Sequence, residues 1–327
     1  LLLELERMCG GDRIVDYFDW VAGTSTGSFV GAALCLGKSL RECQRLYLRF
    51  KDQVFEGWQR PYNTDRLEMF IKQEMGETTT LGDIEWPRLT ITTCRADFVP
   101  CEFEMMRNYR LPATDDINMK MGFKPPADEP IWRALRKSSA APTYFTSVDK
   151  QYIDGGMIAN NPTIDLMCEV EQYNSIMACS NHPERSVRIG CILSVGCGRI
   201  PDVQMDTLDF DITGNPLNTA LAVKNLGFML IEQVTATEGV PVDRARTWAN
   251  QQLSPFYRFS TPMSRLIMLD TKDDHDVLSL MWDTVEYIHA HRERMAECVQ
   301  LLMQMGKSDQ RKHYFDHFTP VIGAEHQ

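Results

Sequence analysis

The sequence predicts an α/β fold, helices sandwiching a largely parallel sheet, and three observations predict it. Strand-like and helix-like stretches alternate along much of the chain. Trp20, Val21 and Ala22 read as the end of a buried strand, followed almost at once by a small-residue apolar helix from Phe29 to Leu36. Ile189 to Val195 is an unbroken apolar run ending at Gly196-Cys197-Gly198, the pattern of a strand buried on both faces.

The elements follow in order. Leu1, Leu2, Leu5 and Met8 mark one face of a first helix, stopped by Gly10 and Gly11. After the first strand and its helix, a helix runs from about Ser39 to Phe50. Its Arg41, Arg45 and Arg49 recur every four residues, a solvated face rather than a phosphate-binding stripe. Residues 64–75 form an amphipathic helix with Leu67, Phe70 and Ile71 inward. Leu89 to Cys94 is a β-branched strand, and Glu102 to Tyr109 is its hairpin partner. The proline-rich stretch 111–130 reads as a long surface loop. A helix from Ile131 ends at Pro142, and Tyr152 to Asp154 is a short strand running into Gly155 and Gly156. Asn161 caps a helix from Pro162 to Tyr173. From Leu217 onward the pattern is largely helical, with Val277, Met281, Val285, Ile288, Met295 and Leu302 along one side of a helix over 276–305. The domain reading is a core over 1–200 and a helical extension over 201–327 packed on the same domain.

Length and composition suit a globular protein: 327 residues, 43% hydrophobic and 24% charged. A net charge of −11 argues against nucleic acid as a partner and against bulk attraction to anionic membranes. The ten cysteines are scattered, with no C-x-x-C pair, which favours buried thiols in a reducing, intracellular compartment. All seven histidines lie at or after His182 without ligand spacing to the cysteines, so neither a zinc site nor another metal is expected. No apolar run reaches the ~18 residues of a membrane span. The chain opens without an initiator methionine, already in helical periodicity, and reads as a piece of a longer protein.

Two stretches carry chemistry. Gly23-Thr24-Ser25-Thr26-Gly27 is a G-x-S-x-G match between strand and helix, the setting of a nucleophile elbow. There the turn is so sharp that glycine is expected two residues either side of the serine, and the Ser25 hydroxyl stands exposed near a helix N-terminus. Such a short pattern also arises by chance, so a second feature decides. Tyr152 to Pro162 supplies it: Asp154 at a strand's end, followed by Gly155 and Gly156, can present its carboxylate at the sheet edge that carries Ser25. An ordinary Asp-Gly turn is the plainer alternative.

With Gly23-Thr-Ser-Thr-Gly27, Asp154-Gly-Gly156 and Ser138-Ser-Ala-Ala-Pro-Thr-Tyr-Phe145 together, the chain resembles the patatin-like phospholipases. Within them it is most similar to the calcium-independent, group VI phospholipase A2 enzymes, from about Phe18 to Glu293. The resemblance implies a three-layer α/β/α sandwich with a mostly parallel sheet. It also implies hydrolysis of glycerophospholipid fatty-acyl esters by a Ser25–Asp154 dyad through an acyl-enzyme, with no cofactor. Thr26 or Gly27 would lend a backbone N–H to the oxyanion hole. Two departures stand out. The family's glycine-rich oxyanion loop, D-G-G-G-x-R-G, has no match, so a fragment inactive on its own is expected. Ser28 also replaces a second glycine after Gly27.

The implied partners are a phospholipid membrane surface, a second copy of the chain and calmodulin, with an ankyrin-repeat region upstream and a cytoplasmic, membrane-peripheral location. Phe55, Trp58 and the loop around Phe123 are the expected membrane-docking aromatics. Trp248, Phe256 and Arg258 lie in a stretch that could meet calmodulin or be ordinary core. Two other functions stay open: a Ser–Asp–His esterase using His275, His289 or His291, and an inactive lipid-binding or oligomerisation module.

Overall fold

The computed structural model describes residues 1–57, 59–201 and 236–316. Its central ladder is built on β2 (Arg88–Arg95), which pairs along one edge with the antiparallel hairpin strand β3 (Glu102–Arg107). The other edge of β2 is shared. β1 (Trp20–Gly23) runs parallel to it over Arg88–Ile91, and β4 (Tyr152–Asp154) runs antiparallel over Thr93–Arg95. The C-terminal ends of β1 and β4 therefore face each other along one edge, with Thr92 in the gap between them.

Alternation along β2 explains the two faces of this sheet. Leu89 and Ile91 point into an apolar core with Met106 of β3. The core is closed by α2 (Thr26–Cys35), α3 (Leu40–Gln53), α4 (Thr64–Met75) and α6 (Ile131–Ser138). The opposite face is polar within an aromatic surround. The Arg88 guanidinium lies over the rings of Trp20, Tyr109, Tyr173 and Phe315, and Thr90 bonds the Tyr109 hydroxyl. α8 (Thr163–Cys179) covers this face through a buried ion pair. Glu169 accepts from Arg107 Nε at 2.5 Å, Arg107 Nη2 at 2.8 Å and the Tyr109 hydroxyl at 2.8 Å. Helices on both faces make the α/β sandwich that the sequence predicts.

Most predicted elements are present. α1 (Leu2–Met8) buries Leu5, α3 begins at a Ser39–Glu42 capping box, and α4 turns Leu67, Phe70 and Ile71 inward. All ten cysteines are free thiols.

Three elements differ. The 111–130 stretch is not a plain surface loop: it holds α5 (Asp115–Lys120) and is pinned from inside. The Asn118 amide is buried, accepting from Leu111 N–H at 2.9 Å and donating to the Leu111 and Ala113 carbonyls. The apolar run near residue 190 forms only β5 (Ile192–Val195), half-buried and paired in parallel with β6 (Phe256–Phe259), a strand inside the stretch expected to be helical. Between them lies α9 (Val240–Gln251). The helix over 276–305 is two, α10 (Asp274–Ala290) and α11 (Arg292–Met305), because His291 leaves helical geometry at φ −113°, ψ 18°. The break divides the apolar side. Met295 and Leu302 are buried against Leu5 of α1, whereas Met281 and Val285 are 46% and 44% exposed. A short α7 (Gly156–Ala159) and α12 (His313–Asp316) complete the described helices, none of them long and apolar enough to cross a membrane.

Candidate active site

Where β1 ends opposite Ile91, the chain reverses into α2 within three residues. Ser25 sits at φ 49°, ψ −123°, a left-handed conformation costly for a residue with a side chain. Its surroundings hold it there. A Cβ on Gly23 would overlap the Gly27 carbonyl, so only glycine lets the chain fold back this closely. Thr24, buried, donates through Oγ1 to the Ala159 carbonyl at 2.7 Å and accepts from Thr92 Oγ1 at 2.7 Å, fastening the elbow to β2 and α7. Ser28 is also buried, and its hydroxyl donates to the Ser25 carbonyl at 2.6 Å, so its side chain braces the turn that a glycine would leave open. Glycine is not needed at position 27 for space, since a Cβ there would meet nothing within 4 Å. The close approach falls on one side of the serine, not on both.

Asp154 reaches the same point from the opposite direction. It ends β4 opposite Thr93, and the Ser25 hydroxyl donates to its Oδ2 at 2.7 Å. The Gly156 N–H donates to Oδ1 at 2.7 Å. Both glycines are required by contact: a Cβ on Gly155 would stand 2.5 Å from the Thr92 carbonyl oxygen, and one on Gly156 2.9 Å from Asp154 Oδ1. Asp154 is 6% exposed. Burial pushes its pKa up to about 6, with the Ser25 hydroxyl and the Gly156 N–H holding it down. That places the carboxyl much nearer to neutrality than a free aspartate, and makes it a stronger proton acceptor when ionised.

The end of α6 binds the two halves together. Ser138 Oγ accepts the Ser25 N–H at 2.9 Å, the Ser138 carbonyl accepts Gly155 N–H at 3.2 Å, and the Ala140 carbonyl accepts Asp154 N–H at 3.0 Å. Of the two N–H groups expected to face an oxyanion, Gly27 N–H is bound to the Thr24 carbonyl at 2.8 Å. Exposed Thr26 keeps an N–H without an acceptor among the described residues, at the first turn of α2. The assembly is thus a half-exposed hydroxyl bonded to a buried carboxylate beside a free backbone donor.

Other expected residues lie elsewhere. His275 bonds Arg265, His291 stacks on Tyr287, and His289 is exposed on α10; no described histidine bonds Ser25 or Asp154. The triad alternative therefore finds no histidine among them. Phe55 and Phe123 are core, not docking aromatics. Phe55, 6% exposed, packs among Tyr62 and Phe145, and Phe123, 1% exposed, lies against Tyr109 and under the Arg107 guanidinium. Trp58 lies outside the described residues. Arg41, Arg45 and Arg49 are exposed, with Arg49 paired to Glu74. Trp248 is on α9, whereas Phe256 and Arg258 are on β6, the arginine paired with Glu238, so the three share no helix face. Thr24, expected within the Gly23–Gly27 motif, lies at the elbow as a brace. Thr92 and the Ser138 hydroxyl are not legible as site residues in the sequence; only the position of Ser138 just ahead of the Asp154 strand points towards it.

Comparison with known proteins converges on one group. The family model described as patatin-like phospholipase matches residues 2–167. An intracellular phospholipase A2 of Caenorhabditis elegans is 44% identical over 292 residues, 89% of this chain and 26% of that protein. The 85/88 kDa calcium-independent phospholipase A2 of Rattus norvegicus is 37% identical over 313 residues, 93% of this chain and 38% of that protein. The calcium-independent phospholipase A2-gamma of Homo sapiens is 26% identical, covering 88% and 36%. The chain thus spans between about a quarter and two-fifths of these relatives' length.

Proposed function

This chain belongs to the patatin-like phospholipase family, and on that premise we propose that it is the hydrolytic region of a calcium-independent serine phospholipase of the A2 type. One observation carries the reading: the 2.7 Å hydrogen bond from the Ser25 hydroxyl to the buried Asp154 carboxylate. Asp154 accepts the Ser25 proton as Oγ attacks the ester carbonyl of a glycerophospholipid. The carbonyl oxygen gains negative charge in the tetrahedral intermediate, and the free Thr26 N–H supports it, aided by the N-terminus of α2. Collapse returns the proton to the departing lysophospholipid alkoxide and leaves an acyl-enzyme on Ser25. Water, deprotonated by Asp154, then releases the fatty acid. No calcium takes part in these steps.

A glycerophospholipid substrate implies work at a phospholipid surface, and a peripheral association on the cytoplasmic side is part of the same proposal. With Phe55 and Phe123 buried, the β2–β3 turn suits that surface better. β2 continues four residues past the end of β1, and its turn carries Phe98 and a fully exposed Val99 beyond the elbow.

Release of fatty acid from phospholipid vesicles in chelator tests the reading. The chain and an upstream-extended form would be compared with Ser25→Ala and Asp154→Ala. Activity that both substitutions abolish is expected. Activity surviving Ser25→Ala, or absent from every form, would overturn it and favour the inactive lipid-binding module.

A further inference from the structure

We propose that Ser138 is a positioning residue for the Ser25–Asp154 pair, acting through its hydroxyl on the backbone of the nucleophile. The inference rests on the hydrolase reading above and adds a residue to it. Ser138 is the last residue of α6 and is fully buried. Its Oγ accepts the N–H of Ser25, fixing the peptide plane that enters the residue held at φ 49°. Its carbonyl accepts the N–H of Gly155, the residue that follows the base. One residue thus grips the backbone on both sides of a 2.7 Å bond whose partners lie 129 positions apart in sequence.

The two grips differ in what a substitution removes. The carbonyl persists in any variant, whereas the hydroxyl is lost in Ser138→Ala. Without that acceptor, nothing bonded to the Ser25 N–H opposes relaxation of the strained φ. Ser25 Oγ then drifts from Asp154, and small misplacements of a reacting group are costly. Drift should also weaken the hydroxyl's bond to the carboxylate, one of two donors that favour the ionised form of Asp154. The rate loss therefore comes with an upward move of the acid limb, which a purely structural role would not produce. Ser139 is the built-in control. It is the next residue and also buried, though less completely (8% exposed), but its hydroxyl donates to the Leu135 carbonyl of its own helix at 2.8 Å.

The test is the rate at which a soluble fluorophosphonate labels Ser25 in the full chain, measured across pH. In that reaction Oγ bonds phosphorus, fluoride leaves, and the hydroxyl proton passes to Asp154. Ser138→Ala and Ser138→Cys, the latter keeping a side chain of the same shape, slightly larger, but offering only a weak acceptor, are expected to label on the order of 10- to 100-fold more slowly. Their acid limbs should lie above that of the wild type, and their melting temperatures near it. Ser139→Ala should label at the wild-type rate. Wild-type labelling in Ser138→Cys, or an equal loss in Ser139→Ala, would overturn the positioning role while leaving the hydrolase reading intact. A wild-type chain that does not label at Ser25 would overturn the hydrolase reading, and this inference with it.

Discussion

Replacing Asp154 with asparagine should abolish hydrolysis and make the protein more stable at neutral pH. The carboxyl is held at about 6 against an ordinary 3.8, so the folded state resists its ionisation more than the unfolded state does. A raised carboxyl pKa contributes stability in full below the unfolded value, and loses it as pH rises through the folded one. The displacement corresponds to about 3 kcal/mol that the wild type forgoes above pH ~6, at about 1.4 kcal/mol per tenfold change in equilibrium. Asparagine keeps the hydrogen bonds: its Oδ1 can accept from Gly156 N–H, and its amide can donate to Ser25 Oγ in place of the Oδ2 contact. Thermal unfolding of both proteins across pH measures the difference. A gain of roughly 5–10 °C is expected above pH ~6, shrinking to nothing below about 4. An asparagine variant no more stable than wild type at neutral pH would refute the argument. A gain of equal size at low pH would refute it too, because its source would then be packing and not ionisation.

The acid limb of kcat/KM for vesicle hydrolysis should fall near pH 6, dropping about tenfold per pH unit below it, as expected when one base must be ionised. The Cys94 thiol on β2, pushed up to about 12, stays neutral throughout that range. Glu169→Gln leaves Arg107 with a neutral partner inside the α8 face and should cost about 3–5 kcal/mol in urea unfolding. Exchanging Phe98 and Val99 together for serine should weaken sedimentation with phosphatidylcholine vesicles severalfold while labelling by a soluble fluorophosphonate is unchanged; undiminished vesicle binding would place the docking surface elsewhere.

Ser25 and Asp154 could be read from the sequence because each is marked by local chemistry. Gly23 and Gly155 sit where backbones come too close for a Cβ, and Gly156 where the Asp154 carboxylate does, and that demand is written into the residue type. The meeting of β1 and β4 is not local. It depends on which edge of β2 a three-residue strand joins, and nothing within Tyr152–Asp154 encodes that choice. Aromatics in irregular segments misled for a related reason. Phe55 and Phe123 have no periodicity to tell an inward from an outward side, so only tertiary packing places them. β6 was missed because Phe256-Tyr-Arg-Phe259 is brief and lies between strongly helical stretches. At His291 the helix breaks although apolar spacing runs through it, since periodicity records faces and not continuity.

The arrangement of β1 and β4 on one edge of β2 also makes the working distance a matter of whole steps. Both strands are ruled off against the same backbone, one up to Ile91 and the other down to Thr93. A slip by one residue in either would shift it about 3.4 Å and turn its side chains to the opposite face. The 2.7 Å contact has no neighbouring setting from which it could be partly recovered. Damage that disturbs register should therefore divide a sample into fully competent and inert molecules, rather than lower the turnover of every molecule a little.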